Sequence, residues 1–285
     1  MTTKPNRLAV ITGPTSGIGY RYTIELAQKG YNLLLVARRE DRLIKMTQSL
    51  SEANNIEVDY IVADLSQEDE IKKVGYHLQL LNHVEILVNN AGFGVAGFFL
   101  EVSLEEQLKM INVHLTSTIR FSKAVLPAMI KQKHGYIVNM ASFAAFMELP
   151  GSVIYSTTKA AIIKFSQTLQ SEVSNYGVKI QALSPGFTPT AFHQSIKREA
   201  EFVDRIPPFL WTSIEKVVQT SLSNLDNNNV ICIPGVINHL LFLMSKSSFL
   251  SRLMQNIAVK RQKEQVVPES VVPNQNLQKT EVIAE

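Results

Sequence analysis

A tyrosine and a lysine stand four residues apart in the stretch VIYSTTKAAI, which begins at Val153. Positions i and i+4 of a helix lie on one face, so a helix here would place Lys159 beside Tyr155. A free tyrosine has a pKa of about 10, and a cation within about 4–6 Å favours its phenolate form. The pair therefore indicates a tyrosine that exchanges protons with a substrate, although the same spacing also occurs on ordinary helix surfaces.

A glycine-rich stretch, TGPTSGIG at residues 12–19, follows the first apolar run of the chain. Glycine lets a backbone approach a pyrophosphate closely, and the N-terminus of a following helix supplies N–H donors and a positive dipole end. The spacing is GxxxGxG, and Pro14 removes one donor from the turn without altering residues 17–19. We predict a dinucleotide site that includes Gly13, Thr15, Ser16, Gly17, Ile18 and Gly19.

Short apolar runs alternate with longer, helix-like segments along the chain. The apolar runs span residues 7–12, 32–37, 58–63, 84–90, 135–141 and 178–184. The helix-like segments span residues 17–29, 39–54, 67–81, 103–131 and 155–176. Because the apolar runs are apolar on both faces, they are typical of strands covered by helices on both sides. The alternation predicts an α/β fold, a single-domain Rossmann-type doubly wound parallel sheet with helices on both faces.

The chain divides into three predicted regions. Residues 1–234 form a dinucleotide-binding and catalytic domain, residues 235–261 a C-terminal helical extension that covers the cleft or the sheet edge, and residues 262–285 a flexible polar tail. The extension is predicted to form two short helices, along which four basic residues are spaced: Lys246, Arg252, Lys260 and Arg261. Its apolar and basic character also allows a second interpretation, reversible contact with a membrane surface.

Composition excludes several classes of protein. The chain has 285 residues, of which 45% are hydrophobic, and its net charge of +3 gives no basis for nucleic-acid binding. The single cysteine, Cys232, lies in an apolar stretch and is predicted to be a buried packing residue rather than a nucleophile. The sequence contains neither an HExxH motif nor paired cysteines, so it does not indicate a metal site. No GxSxG elbow favours a hydrolase. With neither a signal-peptide h-region nor a membrane-spanning apolar run, the chain is expected to be cytoplasmic.

Further short motifs follow in order: ADL at 63–65, NNAG at 89–92, Asn112 in MINVHL, Ser142 after the fifth apolar run, and SPGFTPT at 184–190. Tyr155 comes thirteen residues after Ser142, and Lys159 four residues later. With the glycine turn, this ordered set resembles the short-chain dehydrogenase/reductase family. The resemblance implies a nicotinamide nucleotide contacted by Asp64, Leu65, Asn90, Ala91, Gly92, Tyr155, Lys159, Pro185, Gly186, Thr188 and Thr190.

The resemblance also implies roles for four catalytic residues. Tyr155 would donate the proton in reduction and accept it in oxidation, while Lys159 would lower the tyrosine pKa and hold the nicotinamide ribose. Ser142 would hydrogen-bond the substrate oxygen, and Asn112 would hold a water that links Lys159 to solvent.

Several of these residues have a purely structural alternative. Ser142 is also a suitable helix N-cap, and Asn112 is also an ordinary polar residue of a long helix. Asn90 could satisfy backbone groups at the end of a strand, and Asp64 could stabilise a turn.

The end of the second apolar run reads VARRED and bears on the choice of nucleotide. An acidic residue at this point binds the ribose 2′-hydroxyl of NAD, whereas arginine accommodates the 2′-phosphate of NADP. Arg38 and Arg39 come first, and Glu40 follows at the start of the next helix. The guanidinium fork suits phosphate, so the sequence predicts NADP(H), with Arg38 the principal ligand and Arg39 either a second ligand or a solvated side chain.

The expected activity is an NADP(H)-dependent oxidoreductase that interconverts a small-molecule carbonyl and an alcohol. An apolar or acyl-type substrate is favoured by the large side chains expected near the cleft, which are Phe93, Phe143, Phe146, Met147, Phe187, Phe192, Phe202, Phe209, Leu210 and Trp211. The alternative is a nucleotide-sensing regulator without turnover, although this chain keeps Ser142, Tyr155 and Lys159. The resemblance also implies a homodimer or homotetramer, because the long segments 103–131 and 155–176 correspond to the helices through which many members of that family pair.

Overall fold

A computed structural model describes residues 7–95, 97–190 and 207–245 of the chain. In these ranges one sheet contains the strands β1 (Leu8–Thr12), β2 (Asn32–Ala37), β3 (Val58–Val62), β4 (Val84–Asn89), β5 (Gly135–Met140), β6 (Val178–Leu183) and β7 (Ile231–Cys232). All neighbouring strands are parallel, in the order β3-β2-β1-β4-β5-β6-β7. The strand order reverses between β1 and β4, and ligands of such sheets bind outside the carboxyl ends at this point.

Helices cover both faces of the sheet. They are α1 (Gly17–Gln28), α2 (Glu40–Asn54), α3 (Glu68–Gln79), α4 (Leu104–Ile111), α5 (Ser117–Gln132), α6 (Val153–Val173), α7 (Ile214–Ser223) and α8 (Val236–Ser245). Successive strand residues point to opposite faces. Thus Val10 packs in a core with α3 and α5, whereas Ile11 packs in a second core with α1, α2 and α7. The predicted doubly wound fold is confirmed.

Two elements depart from the sequence prediction. The edge strand β7 was not predicted because its two residues are too few to show a period. The expected helix over 103–131 is divided, since a π-helical turn, Asn112–Thr116, lies between α4 and α5. There the N–H of Ser117 donates to the carbonyl of Asn112, an i→i+5 bond in place of i→i+4.

Candidate active site

The glycine turn between β1 and α1 requires glycine for two reasons. Gly13 and Gly17 have φ angles of 67° and 56°, in the left-handed region that favours glycine. At Gly19 a Cβ would lie only 2.2 Å from the carbonyl oxygen of Gly13, so α1 packs directly onto the turn. Ser16 is the N-cap of α1 but makes no side-chain cap hydrogen bond, which leaves the first N–H groups of α1 unoccupied by this side chain.

The segment after β4 is fastened to the glycine turn. The Asn90 side-chain amide donates to the carbonyl oxygens of Thr12, at 2.9 Å, and Gly13, at 3.1 Å. In return, the Thr12 hydroxyl accepts from the N–H groups of Asn90, at 3.0 Å, and Ala91, at 2.9 Å. The Asn90 side chain therefore satisfies backbone groups, the structural alternative that the sequence left open, and it shapes the turn by doing so.

The two arginines after β2 are both exposed at the rim of this turn. Nη2 of Arg39 donates to the hydroxyl of Thr15 over 2.9 Å, which holds its guanidinium beside the glycine turn. Glu40 and Asp41 lie in the first turn of α2, where the helix dipole favours acidic side chains. The helix dipole thus accounts for these two acidic residues, and a role in binding a ribose is not needed to explain them.

The segment after β3 has a tight turn of its own. A carboxylate oxygen of Asp64 accepts from the N–H of Ser66 over 3.0 Å, the turn role considered as an alternative for this residue. Leu65 is 5% exposed and packs in the core, so its side chain belongs to the fold. The carbonyl of Ser66 accepts from the side-chain amide of Asn112 over 3.0 Å. This bond joins the π-helical turn to the carboxyl edge of the sheet.

Tyr155 and Lys159 lie on the first turns of α6. The Lys159 Nζ is 5.6 Å from the centre of the Tyr155 ring and donates to the carbonyl oxygen of Met140 over 2.8 Å. Lys159 is 3% exposed, and this burial lowers the pKa of its ammonium group to about 7. Ser142 follows Met140 by two residues and caps a 3₁₀ turn, Phe143–Phe146, accepting from the N–H of Ala144 over 3.2 Å. That turn packs against α6.

The loop after β6 extends from the Ser142 segment to the glycine turn. The carbonyl of Pro185 accepts from the N–H of Phe143 over 2.9 Å, while the Thr188 hydroxyl donates to the carbonyl of Gly186 over 3.1 Å. Further along, a Cβ on Gly17 would lie 3.3 Å from Cγ2 of Thr190. The loop thus brings all four of its predicted residues to the same edge as the glycine turn and Ser142.

Three residues of this edge were not singled out from the sequence. Asn238 of α8 is 4% exposed, and a Cβ on Gly186 would lie 2.5 Å from its side-chain nitrogen. His114 and Thr158 are also buried, and they are hydrogen-bonded to each other close to Tyr155. No sequence signal distinguishes them, because the contacts that bring them to this edge are made with residues distant in the chain.

An aromatic cluster borders the Ser142 segment. Phe146 packs against Phe143 and against Phe242 of α8, with ring centres 6.0 and 4.6 Å apart. Phe187 and Trp211 form a second pair at 5.9 Å. Phe192 and Phe202, which the sequence also places near the cleft, lie outside the described residues.

Two structural features are absent from the described part of the chain. Over residues 7–95, 97–190 and 207–245, no group of three or more histidine, cysteine, aspartate and glutamate side chains is arranged to hold a metal ion. Among the helices in these ranges, none is both long and apolar enough to cross a membrane. Cys232 is buried, which raises the pKa of its thiol to about 11.

Known proteins resemble this chain in sequence and structure. The family model for short chain dehydrogenases matches residues 7–201. An uncharacterized oxidoreductase of Staphylococcus epidermidis is 33% identical over 184 residues, which cover 65% of this chain and 79% of that protein. The very-long-chain 3-oxoacyl-CoA reductase-A of Danio rerio is 37% identical over 194 residues, covering 67% of this chain but only 60% of the zebrafish protein.

Among solved structures, a short-chain dehydrogenase from Sphingobium yanoikuyae in complex with NADPH is similar, with a TM-score of 0.75 and 26% identity. The similarity covers 92% of this chain and 97% of that one. With the glycine turn and the Tyr155–Lys159 pair at one edge of a parallel sheet, the chain belongs to the short chain dehydrogenase family. It is an oxidoreductase of the class that interconverts carbonyls and alcohols.

Proposed function

We propose that this protein is an NADP(H)-dependent oxidoreductase in which Tyr155 is the acid–base group for a carbonyl–alcohol pair. One observation carries the proposal: the ring of Tyr155 and the buried ammonium of Lys159 lie 5.6 Å apart. A cation at this separation stabilises the phenolate and eases proton transfer at neutral pH.

The glycine turn fits a dinucleotide. Gly13 and Gly17 adopt the left-handed conformation of the turn and carry no side chain, so a pyrophosphate can approach the backbone there. The Ser16 side chain does not cap the first N–H groups of α1, which are therefore available to a phosphate. When bound there, the nicotinamide supplies or accepts the hydride.

The protein supplies the proton. In the direction of reduction, Tyr155 gives a proton to the carbonyl oxygen as the alcohol forms, and Ser142 donates a hydrogen bond to the same oxygen. In its protonated form, Lys159 places a positive charge beside Tyr155 while the tyrosine hydroxyl gives up its proton. In this proposal Asn112 holds the water through which Lys159 exchanges protons with solvent.

The preference for the phosphorylated nucleotide rests on the two arginines after β2. Arg38 and Arg39 are exposed at the rim, and the contact of Arg39 with Thr15 brings its fork to the glycine turn. A guanidinium binds phosphate with paired, charge-assisted hydrogen bonds. The relative from Sphingobium yanoikuyae was solved with NADPH, which agrees with this assignment.

An apolar or acyl-type substrate is supported by the aromatic cluster beside Ser142. Phe143, Phe146 and Phe242 form an apolar group with Ile233. Such a wall favours substrates with a hydrocarbon portion next to the carbonyl. The name of the zebrafish relative, a reductase of 3-oxoacyl thioesters, points in the same direction.

The test is a screen of NADPH oxidation by the purified protein. Ketones and 3-oxoacyl thioesters of graded chain length are supplied, and absorbance of the reduced nicotinamide is followed. We expect kcat/KM to rise with chain length over part of the series. A protein that binds NADPH tightly but reduces no member, nor any sugar or steroid ketone, would instead be a nucleotide-sensing regulator. The matched control is Tyr155→Phe, which should lower any turnover seen by at least about 10²-fold.

Assembly and location complete the proposal. We propose a cytoplasmic homodimer or homotetramer, because α4 exposes Leu104 and Leu108 one turn apart. Light scattering at micromolar concentration tests this, and a monomeric mass would contradict it.

Membrane contact is at most peripheral in this proposal. Helix α8 exposes Val236 and Leu240, and co-sedimentation with anionic vesicles at low salt measures whether such contact exists.

A further inference from the structure

One buried histidine lies within the active site and has no part in the mechanism above. His114 stands on the π-helical turn Asn112–Thr116 and is 1% exposed. Burial, together with the nearby charge of Lys159, holds the pKa of its imidazole well below the usual range. The ring is therefore neutral at physiological pH, so it carries one proton on one of its two nitrogens.

The neighbours of His114 decide which nitrogen carries that proton. The N–H of Phe93 donates to Nε2 over 3.2 Å, so Nε2 is an acceptor without a proton. Nδ1 lies 2.9 Å from the hydroxyl of Thr158 and donates to it. The Thr158 hydroxyl in turn donates to the carbonyl oxygen of Tyr155 over 2.8 Å. A directional chain of three hydrogen bonds thus runs from the loop after β4, through one neutral imidazole, to the backbone of Tyr155.

The imidazole also touches the tyrosine ring. The ring centres of His114 and Tyr155 are 5.7 Å apart at an interplanar angle of 78°, an edge-to-face contact. The Nζ of Lys159 is 5.6 Å from the centre of the same ring. The phenol ring therefore lies close to both a neutral imidazole and the side-chain nitrogen of Lys159.

The loop on the other side of His114 packs just as closely. A Cβ on Gly92 would lie 3.1 Å from Nε2 of His114, so the backbone there rests on the imidazole edge. Gly92 belongs to the segment that Asn90 and Ala91 fasten to the glycine turn. His114 consequently contacts both the cofactor side and the tyrosine side of the site.

We infer that His114 is a positioning residue, which as a neutral Nδ1–H imidazole fixes the Tyr155 ring relative to the loop at Gly92 and Phe93. This inference rests on the proposed role of Tyr155. Protonation of the ring would remove the acceptor of the Phe93 N–H and set a second cation near Lys159. Both effects oppose the charged form, so the neutral ring is the one that the site requires.

Two isosteric substitutions separate the two sides of His114. In His114→Asn the side-chain amide can stand where Nδ1 stands and keep the bond to Thr158, but it cannot reach the Phe93 N–H. In His114→Gln the side-chain oxygen can stand where Nε2 stands and keep the bond to Phe93, but the bond to Thr158 is lost. We expect the Asn variant to raise the KM for NADPH and to lose less of kcat than the Gln variant does. We expect the Gln variant to keep the KM for NADPH near that of the wild type and to lose more of kcat.

The size of the effect follows from misplacement of the acid. His114→Phe keeps a ring against Tyr155 but removes both hydrogen bonds, and we expect kcat to fall by about 10-fold to 100-fold. Thr158→Val interrupts the same chain from the other side and should lower kcat comparably. It serves as the second variant if His114→Phe does not fold. Ser166→Ala is the matched control, because Ser166 is also buried and hydrogen-bonded on α6 but is bound to Asn139 rather than to the site.

A double-mutant cycle with Tyr155→Phe decides whether His114 acts through the tyrosine. If it does, adding His114→Phe to Tyr155→Phe should lower the residual rate by less than about 3-fold. A full 10-fold further loss, or a His114→Phe enzyme with wild-type kcat, would overturn the inference. An equal loss of kcat in all variants, including Ser166→Ala, would show that His114 only supports the fold and would also overturn the inference. If Tyr155→Phe itself keeps its turnover, the proposed function fails instead.

Discussion

The side-chain nitrogen of Lys159 lies 2.8 Å from the carbonyl oxygen of Met140, the last residue of β5. This bond ties α6 to the carboxyl edge of the sheet, two residues before Ser142. The Lys159 side chain is almost fully removed from water, so this bond replaces part of its lost hydration. A single neutral carbonyl compensates little of that desolvation, which is why the pKa of the ammonium falls to about 7.

The lowered pKa of Lys159 makes stability depend on pH. The group titrates near about 7 when folded and at its ordinary 10.5 when unfolded, so between these values the unfolded chain binds more protons. The free energy of unfolding therefore rises by the Lys159 contribution from pH 7 towards 10.5, and this gain is lost as the pH falls from 10.5 to the folded pKa of about 7. Urea unfolding of the wild type and of Lys159→Met over this range measures it. Parallel pH dependences for the two proteins would contradict the assignment.

Replacement of the tyrosine hydroxyl should separate chemistry from binding. We expect Tyr155→Phe to bind NADPH nearly as tightly as the wild type while turnover falls by at least about 10²-fold, because a positioned acid contributes that much. Fluorescence titration of the nucleotide and steady-state rates give the two quantities. Near-normal turnover by a folded variant would rule out the tyrosine mechanism.

The two arginines after β2 can be separated by substitution. Arg38→Ala and Arg39→Ala should each weaken NADPH binding and leave NADH binding almost unchanged, since only NADPH carries a 2′-phosphate. Loss of a charge-assisted hydrogen bond costs about 1.5–3 kcal/mol. Thr15→Val releases the guanidinium of Arg39 from the glycine turn and should also weaken NADPH binding, because Thr15 is itself a predicted contact of the nucleotide. A wild-type preference for NADH, or an Arg38→Ala variant that keeps the NADPH preference, would show the assignment to be wrong.

Glu85 should be a stability determinant at the opposite end of the sheet. Its carboxylate accepts from Arg7, at 2.9 Å, and from Tyr31, at 2.8 Å, and lies 3.4 Å from His134. Although burial opposes ionisation, the bonds from Arg7 and Tyr31 prevail and lower the Glu85 pKa. The resulting stability is present above the unfolded pKa of 4.5 and is lost as the pH falls through the lower folded value.

We expect Glu85→Gln to lower the free energy of unfolding at pH 7 by about 2 kcal/mol, as loss of hydrogen bonds to a charged group does. Glu70→Gln, which removes an exposed ion pair with Lys73, is the control and should change little. Chemical denaturation at pH 7 and pH 3 measures both, and the difference between Glu85→Gln and the wild type should shrink at the lower pH. A difference that stays constant would contradict the electrostatic explanation.

Removal of α8 should damage the protein, whereas removal of the polar tail should not. Truncation after Gly235 deletes Asn238, which donates to Thr212 and Pro234, and Phe242, which packs on Phe146. We expect exposed apolar surface, measured by dye binding, and lost activity. Truncation after Gln265 leaves α8 intact and should have no effect on either quantity. Full solubility and activity of the shorter protein would refute the packing role of α8.

Local patterns in the sequence determined the fold class and the set of candidate site residues. Apolar runs in alternation with helical segments specify a parallel sheet. The glycines of the turn can be recognised in the sequence because the left-handed backbone at 13 and 17 and the close packing at 19 restrict the residue type. The Tyr155–Lys159 spacing is equally local, since a helix alone brings positions i and i+4 together.

The tertiary structure decided what surrounds these residues. The bond of His114 to Thr158 joins positions 44 apart, and the contact of Asn90 with Gly13 joins positions 77 apart. No period or propensity encodes such pairs, because they exist only once the sheet has brought its carboxyl ends together. The π-helical turn, the burial that lowers the Lys159 pKa, and the choice of Arg39 as the partner of Thr15 depend on packing in the same way.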